Sequence, residues 1–299
     1  MSAVDQQNAV ANAAAETLVL SPDDELYPPL LRLIHDPPDR LYVRGDPSAL
    51  VTPMLAVVGS RKASPAALRL TRTLCEQAVA AGLHICSGLA LGVDAAAHRG
   101  GLDAGGLSVA VMATGIDRVY PARHRDLAGQ LVQQGCLVSE FPPGTPPRRQ
   151  HFPQRNRIIS GLALGVMVVE AAQHSGSLIT ARFALEQGRE VFALPWSVLH
   201  RGGAGCLQLI RDGARLVLSI EDVLDELGPL FRLQADLAPL EPKVPDGAAA
   251  LLRCIGFEAI TVDELARASG WPVDRILAEL TNLELQGLVS RSSGGYMRC

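Results

Sequence analysis

Four arginines, a histidine, an asparagine and an aromatic fall within ten residues, Arg148–Arg149–Gln150–His151–Phe152–Pro153–Gln154–Arg155–Asn156–Arg157. Guanidinium forks match phosphate oxygens. Phe152, and the guanidinium planes themselves, offer flat partners for unstacked bases. Such interleaving suits a single strand better than a duplex, whose bases are already stacked. The plainer reading of the same run is a solvated arginine face with Phe152 tucked into the core.

Other short stretches carry anion chemistry. Val58–Gly59–Ser60–Arg61 ends an apolar run, and a helix begins near Pro65. A glycine there lets backbone N–H groups approach an anion, and Arg61 adds a fork. Only the first glycine of a dinucleotide fingerprint is present. Ser87–Gly88 and Thr114–Gly115 are possible further anion loops, and Asp94 a group that orients a neighbour. Glu170 ends another apolar run and is followed by Ser175–Gly176–Ser177, which opens a helix. Glu170 is also a candidate acid or base, but no second carboxylate or nucleophile stands at a convincing spacing. No nucleophile elbow, zinc-protease motif or Walker loop occurs. The seven histidines do not cluster, and the six cysteines (Cys75, Cys86, Cys136, Cys206, Cys254, Cys299) include no C-x-x-C pair. No metal and no cofactor are therefore expected.

These loops need a frame. Apolar runs at 55–58, 84–86, 109–112, 137–139, 166–170 and 191–194 alternate with helical patterns at 65–81, 93–104, 124–134, 155–162 and 178–187. Short apolar strands between amphipathic helices imply α/β: a parallel, Rossmann-like sheet with helices on both faces. Ligands of such sheets lie at the carboxyl ends of the strands, where these loops fall. Residues 1–50 read as an N-terminal tail and proline-rich extended lead-in, and 51–228 as the Rossmann-like domain. Residues 229–246 read as a linker rich in proline and acid. Residues 247–299 read as a small winged helix-turn-helix: helices near 248–254, 261–269 and 272–286, then a hairpin around Ser292–Ser293–Gly294–Gly295. The last helix holds Asp274, Glu279 and Glu284 against Arg275 alone, which disfavours phosphate contact.

The bulk properties agree. The chain has 299 residues, net charge −4, and 4% aromatic residues, so its core is mainly aliphatic and no global basic field exists. Of the 27 cationic residues all but Lys62 and Lys243 are arginine. No signal peptide and no membrane span are expected, which places the chain in the cytoplasm.

The motifs in order and spacing resemble the DNA-processing protein A (DprA/Smf) family over residues 22–220. The stretches that carry the resemblance are Val58–Gly59–Ser60–Arg61, Ser87–Gly88–Leu89–Ala90, Asp117–Arg118–Val119–Tyr120–Pro121, Phe152–Pro153–Gln154–Arg155–Asn156–Arg157 with Ile158–Ile159–Ser160–Gly161–Leu162, and Ser175–Gly176–Ser177–Leu178–Ile179–Thr180–Ala181. The resemblance implies an extended Rossmann fold, a homodimer, single-stranded DNA as ligand, and handover of that strand to a RecA-type recombinase during natural transformation. It implies DNA contacts from Gly59, Ser60, Arg61, Arg149, Phe152, Arg155, Asn156, Arg157, Ser175, Gly176 and Ser177. Leu91 stands where the family usually has arginine, and Leu207 where it has asparagine. Two other functions compete. One is a phosphoribohydrolase-like enzyme built on Glu170 and the Gly/Ser loop, although the glycine run of such enzymes is missing. The other is a duplex-binding regulator using the winged helix.

Overall fold

The computed structural model describes residues 17–237, 251, 260–285, 289–292 and 295–298. The chain forms two compact units, residues 1–238 and 239–299. In chain order the first contains β1 (Leu18–Leu20), α1 (Pro29–Arg32), β2 (Leu41–Gly45), β3 (Met54–Val58), α2 (Pro65–Ala80), β4 (His84–Ser87), α3 (Val93–Asp103), β5 (Ser108–Val111), α4 (Arg125–Gln133), β6 (Gly135–Ser139), α5 (His151–Leu162), β7 (Gly165–Val168), α6 (Ser177–Glu186), β8 (Glu190–Ala193), α7 (Ala204–Arg211), β9 (Arg215–Leu216) and α8 (Ile220–Leu237). The nine strands make one sheet in the order β1-β2-β6-β5-β4-β3-β7-β8-β9. From β6 to β9 every pairing is parallel. β2 runs antiparallel to β6, and β1 to β2.

The strands β3, β5, β6 and β7 are buried at every position, as expected where helices cover both faces. On one face α5, α6 and α7 press Ile158, Ile159, Leu162, Ala181, Ala184 and Cys206 onto the sheet. On the other, α2, α3 and α8 contribute Leu74, Cys75, Ala78, Ala97, Val223 and Leu227. Helix α2 shows how local sequence builds this. Ser64 caps it by accepting the Ala67 N–H at 3.2 Å, and Pro65 occupies the first turn, where an N–H would be unpaired anyway. Its buried Ala67, Thr71, Leu74, Cys75 and Ala78 recur at helical spacing.

The six expected strands and five expected helices of the frame are present, with ends shifted by a few residues. The lead-in is more structured than its prolines suggest. Leu41 and Val43 point inward on β2 while their neighbours are less covered, and the fully buried Tyr27 donates its hydroxyl to the Pro38 carbonyl at 2.9 Å. Too few alternating residues stand between prolines for the period of two to show. Helix α5 starts at His151, four residues before the expected 155. Pro153 falls in the first turn, where its missing N–H removes no helical bond. Helix α8 runs on to Leu237, through the first half of the expected linker. The rest of that linker lies outside the described residues.

The second unit contains α9 (Val262–Ser269), α10 (Val273–Leu285), β10 (Val289–Ser292) and β11 (Gly295–Arg298), with the two strands paired as an antiparallel hairpin. Thr261 and Glu264 form a reciprocal capping box, and Gly270 closes α9 at φ 68°. Leu265, Ile276, Leu280, Leu283 and Val289 make its core with Leu251. Most of the helix expected at 248–254, and the tip of the expected hairpin, lie outside the described residues.

Candidate nucleic-acid interface

The strand order reverses at β3. From it the chain steps through β4 and β5 to β6, and it later returns to place β7 on the other side. The loops leaving β3 and β7 therefore diverge and open a crevice at their carboxyl ends. A cleft of about 920 Å³ occupies this point. Gly59, Ser60, Arg61 and Lys62 line it from β3. Ser175, Gly176 and Ser177 line it from the start of α6, and Phe152, Arg155 and Asn156 from α5.

The wall groups differ in role. Arg61 and Lys62 are exposed. The Arg61 guanidinium lies 4.9 Å from the centre of the half-buried Phe152 ring, and Tyr120 meets that ring edge-on at 5.8 Å. Phe152 is thus a cleft wall rather than a core residue. The Ser175 and Ser177 hydroxyls are 2.7 Å apart at the N-terminus of α6, where the helix dipole favours an anion. Lys62 and Arg201 add positive charge that the motif reading did not include; both line the cleft.

Arg155 is only 4% exposed. Its Nη1 donates to the Gly88 carbonyl at 2.7 Å and to the Val111 carbonyl, and its Nε donates to Asn156 Oδ1 at 3.1 Å. Gly88 serves this packing: a Cβ there would collide with the guanidinium. Asp94, also buried, accepts the Ala90 N–H at 3.2 Å. Burial pushes the Asp94 carboxyl above its ordinary value, while Arg155 and the Ala90 N–H pull it back. Burial likewise lowers Arg155, against the pull of Asp94. Arg155 therefore braces the floor from inside, with part of its surface on the cleft. Asn156 completes the brace, its Nδ2 reaching the Gly176 carbonyl at 3.3 Å.

Arg157 does not face the cleft. It forks onto Glu140 at 2.8 and 3.0 Å and bonds Asp36 at 3.1 Å. It ties α5 to the end of β6 and to the lead-in, and it is not among the cleft-lining residues. Arg149 is exposed in the turn before α5 and is not among the cleft-lining residues. Of the expected extra anion loops, Gly88 and Thr114 line smaller hollows beside the cleft, while several of the loops' donors serve the fold. Ser87 donates to the Val57 carbonyl at 2.6 Å, and Thr114 to the Arg118 carbonyl at 2.6 Å. The Gly115 N–H goes to the Thr145 carbonyl at 3.0 Å. These three donors are spent on the fold.

Two buried histidines hold the loop above Arg155. Leu89 has φ 56°, a conformation side chains other than glycine rarely adopt. Its N–H donates to His98 Nε2 at 3.3 Å, and its carbonyl lies 2.9 Å from His124 Nδ1. His98 Nδ1 lies 2.8 Å from the Ser108 hydroxyl. Burial, then His124, Arg155 and Arg99, push the His98 imidazole down to about 3, so it is neutral and able to accept. Glu170 is buried as well. It accepts from the Ser64 hydroxyl at 2.6 Å and from the Ser64 N–H, and pairs with His200 at 3.0 Å. Its carboxylate anchors Ser64, the cap of α2, and is not a cleft-lining group.

The fold and this crevice define an open α/β protein with a basic, aromatic-edged cleft at the switch point of its sheet. The chain belongs to the DNA recombination-mediator protein A family: the family profile matches residues 18–228, and that of the DprA winged helix domain matches residues 235–295. It is 44% identical over 283 residues to Protein Smf of Escherichia coli K12, covering 92% of this chain and 76% of that one. It is 44% identical over 203 residues to DNA processing protein DprA of Streptococcus pneumoniae R6, covering 68% and 72%. The crystal structure of Streptococcus pneumoniae DprA superposes with TM-score 0.68 at 41% identity over 74% of this chain and 77% of that one. A Helicobacter pylori structure, described as giving insights into the single-stranded DNA binding mode of DprA, superposes with TM-score 0.65 at 27% identity over 73% and 98%.

Proposed function

We propose that this chain is a non-enzymatic, cytoplasmic single-stranded-DNA binder that hands its strand to a RecA-type recombinase in transformation or recombination, working as a homodimer. The observation that carries the reading is the cleft itself. It combines exposed Arg61, Lys62 and Arg201, the α6 N-terminus and the half-buried Phe152. Phosphates meet cations and backbone N–H groups, and a base meets an aromatic face. Gly59, Ser60, Arg61, Phe152, Ser175, Gly176 and Ser177 are the contacts, with Arg155 and Asn156 bracing them. Arg149, exposed at the approach to α5, meets the strand outside the cleft. The non-enzymatic reading rests on Glu170, whose oxygens are already engaged by Ser64 and His200. In the winged unit, the Arg275 guanidinium lies 3.8 Å from the Trp271 ring centre. With Asp274, Glu279 and Glu284 on the same helix, the charge disfavours phosphate and supports an accessory or protein-contact role over duplex reading.

The test is fluorescence-anisotropy titration with an oligothymidylate and a matched duplex at two salt concentrations. Salt-sensitive preference for the single strand is expected. Equal binding to both, or none, overturns the reading.

A further inference from the structure

A second hollow, of about 350 Å³, lies on the other side of the aromatic pair from the cleft. Three arginines line it: Arg44 from β2, Arg118 from the turn after β5, and Arg125 at the start of α4. The one carboxylate lining it, Asp117, already accepts the Gly144 N–H at 2.7 Å. Among the described residues none of the three guanidinium groups has an acidic partner. The Nε of Arg44 is shielded from water and has no hydrogen-bond partner. A buried donor left unmet is costly, and a bound anion is one way to meet it. Ile116 and Leu137 give the hollow an apolar floor. Its size falls at the lower end of small-ligand sites, roughly 300–1,000 Å³.

The hollow is joined to the cleft. Tyr120 lines it, and Tyr120 also lines a small pocket of about 50 Å³ together with Arg61 and Phe152. Arg61 and Phe152 in turn line the cleft. The order is cleft, Arg61 on Phe152, Tyr120 on Phe152, then the arginine hollow: cations at both ends and stacking surfaces between.

We propose that the Arg44–Arg118–Arg125 hollow is a second phosphate station on the path of the same strand, taking a nucleotide further along than the one in the cleft. This rests on the single-strand reading above. Three unpaired guanidinium groups around an apolar floor fit a phosphate with its sugar or base packed beneath. A strand seated only in the cleft would leave this charge unused.

The experiment compares oligothymidylates from about 4 to about 16 nucleotides on the full chain and on the double variant Arg118→Ala/Arg125→Ala. Both side chains are exposed, so the fold should persist, which thermal melting checks. The shortest oligonucleotide should bind both proteins alike. The gain in affinity with length should shrink in the variant, and its salt slope on the longest should be smaller by about 0.7, the loss of one phosphate contact. Arg118→Glu should weaken long-strand binding further and spare the shortest. An unchanged length gain and slope in the variant would overturn the inference while leaving the single-strand reading intact. If the parent protein binds no oligonucleotide of any length, the single-strand reading itself fails, and this inference with it.

Discussion

The ten-residue basic run divides into two halves that behave oppositely. Residues 148–154 are exposed or half-buried apart from His151, which stacks on Phe141 at 4.1 Å between ring centres and lies 3.2 Å from the Ala113 carbonyl. Arg155, Asn156 and Arg157 are 4, 9 and 8% exposed and bond almost entirely to protein. The same residue type thus faces solvent in one part and holds the architecture in the other. The division follows from packing: from Arg155 to Leu162 every residue of α5 is buried. Cations in that half survive only by finding carbonyls and carboxylates.

The comparison breaks most visibly at Arg155. Arg155→Ala should cost about 3–5 kcal/mol of stability, because it strands Asp94 and the Gly88 and Val111 carbonyls. Denaturant melting checks this, and Arg155→Lys should rescue little, since one ammonium cannot reproduce the planar fork. A variant that melts like its parent yet loses the strand would turn Arg155 back into a ligand contact.

A second effect belongs to the same buried layer. His98 is held down to about 3 from an ordinary 6.5. Between those values the unfolded chain takes up a proton that the folded chain refuses, so stability falls as pH drops through the window. The slope from this group approaches about 1.4 kcal/mol per pH unit in the middle of it. Denaturant midpoints across the window should show the loss. His98→Gln, which keeps an acceptor without the proton, should flatten it.

The outer half should respond in binding rather than in stability. Phe152→Ala should weaken single-strand binding by about 1–3 kcal/mol, read by anisotropy, with little change in melting. The smallest effect is expected at Arg149: Arg149→Ala should reduce the salt slope by about 0.7 and affect all sequences alike. If Arg149→Ala destabilised the fold and Arg155→Ala did not, the division of the run would be reversed.

Legibility in the sequence followed the range of the interactions. Strands β3 to β8 and their helices show through because apolar runs and helical periods are local. Thr261 with Glu264, and Gly270, marked the ends of α9 for the same reason. β2 was obscured because its cover comes from β6, nearly a hundred residues away. Ser87 and Thr114 looked like anion loops because small polar residues at strand ends serve both uses. Which use applies depends on carbonyls supplied by Val57 and Arg118. Lys62 and Arg201 escaped notice because a lone cation carries no pattern until a cleft forms beside it.

By itself, then, the sequence determined the α/β class, the family and the strand-end loops that meet at the switch point. Those properties are written in periodicity, turn residues and short motifs. Only the tertiary structure decided which arginines meet solvent, that Glu170 holds the cap of a helix, and that Arg44, Arg118 and Arg125 converge. A side chain's charge is carried by its type, but the direction it faces and the partner that neutralises it are set by segments distant in the chain.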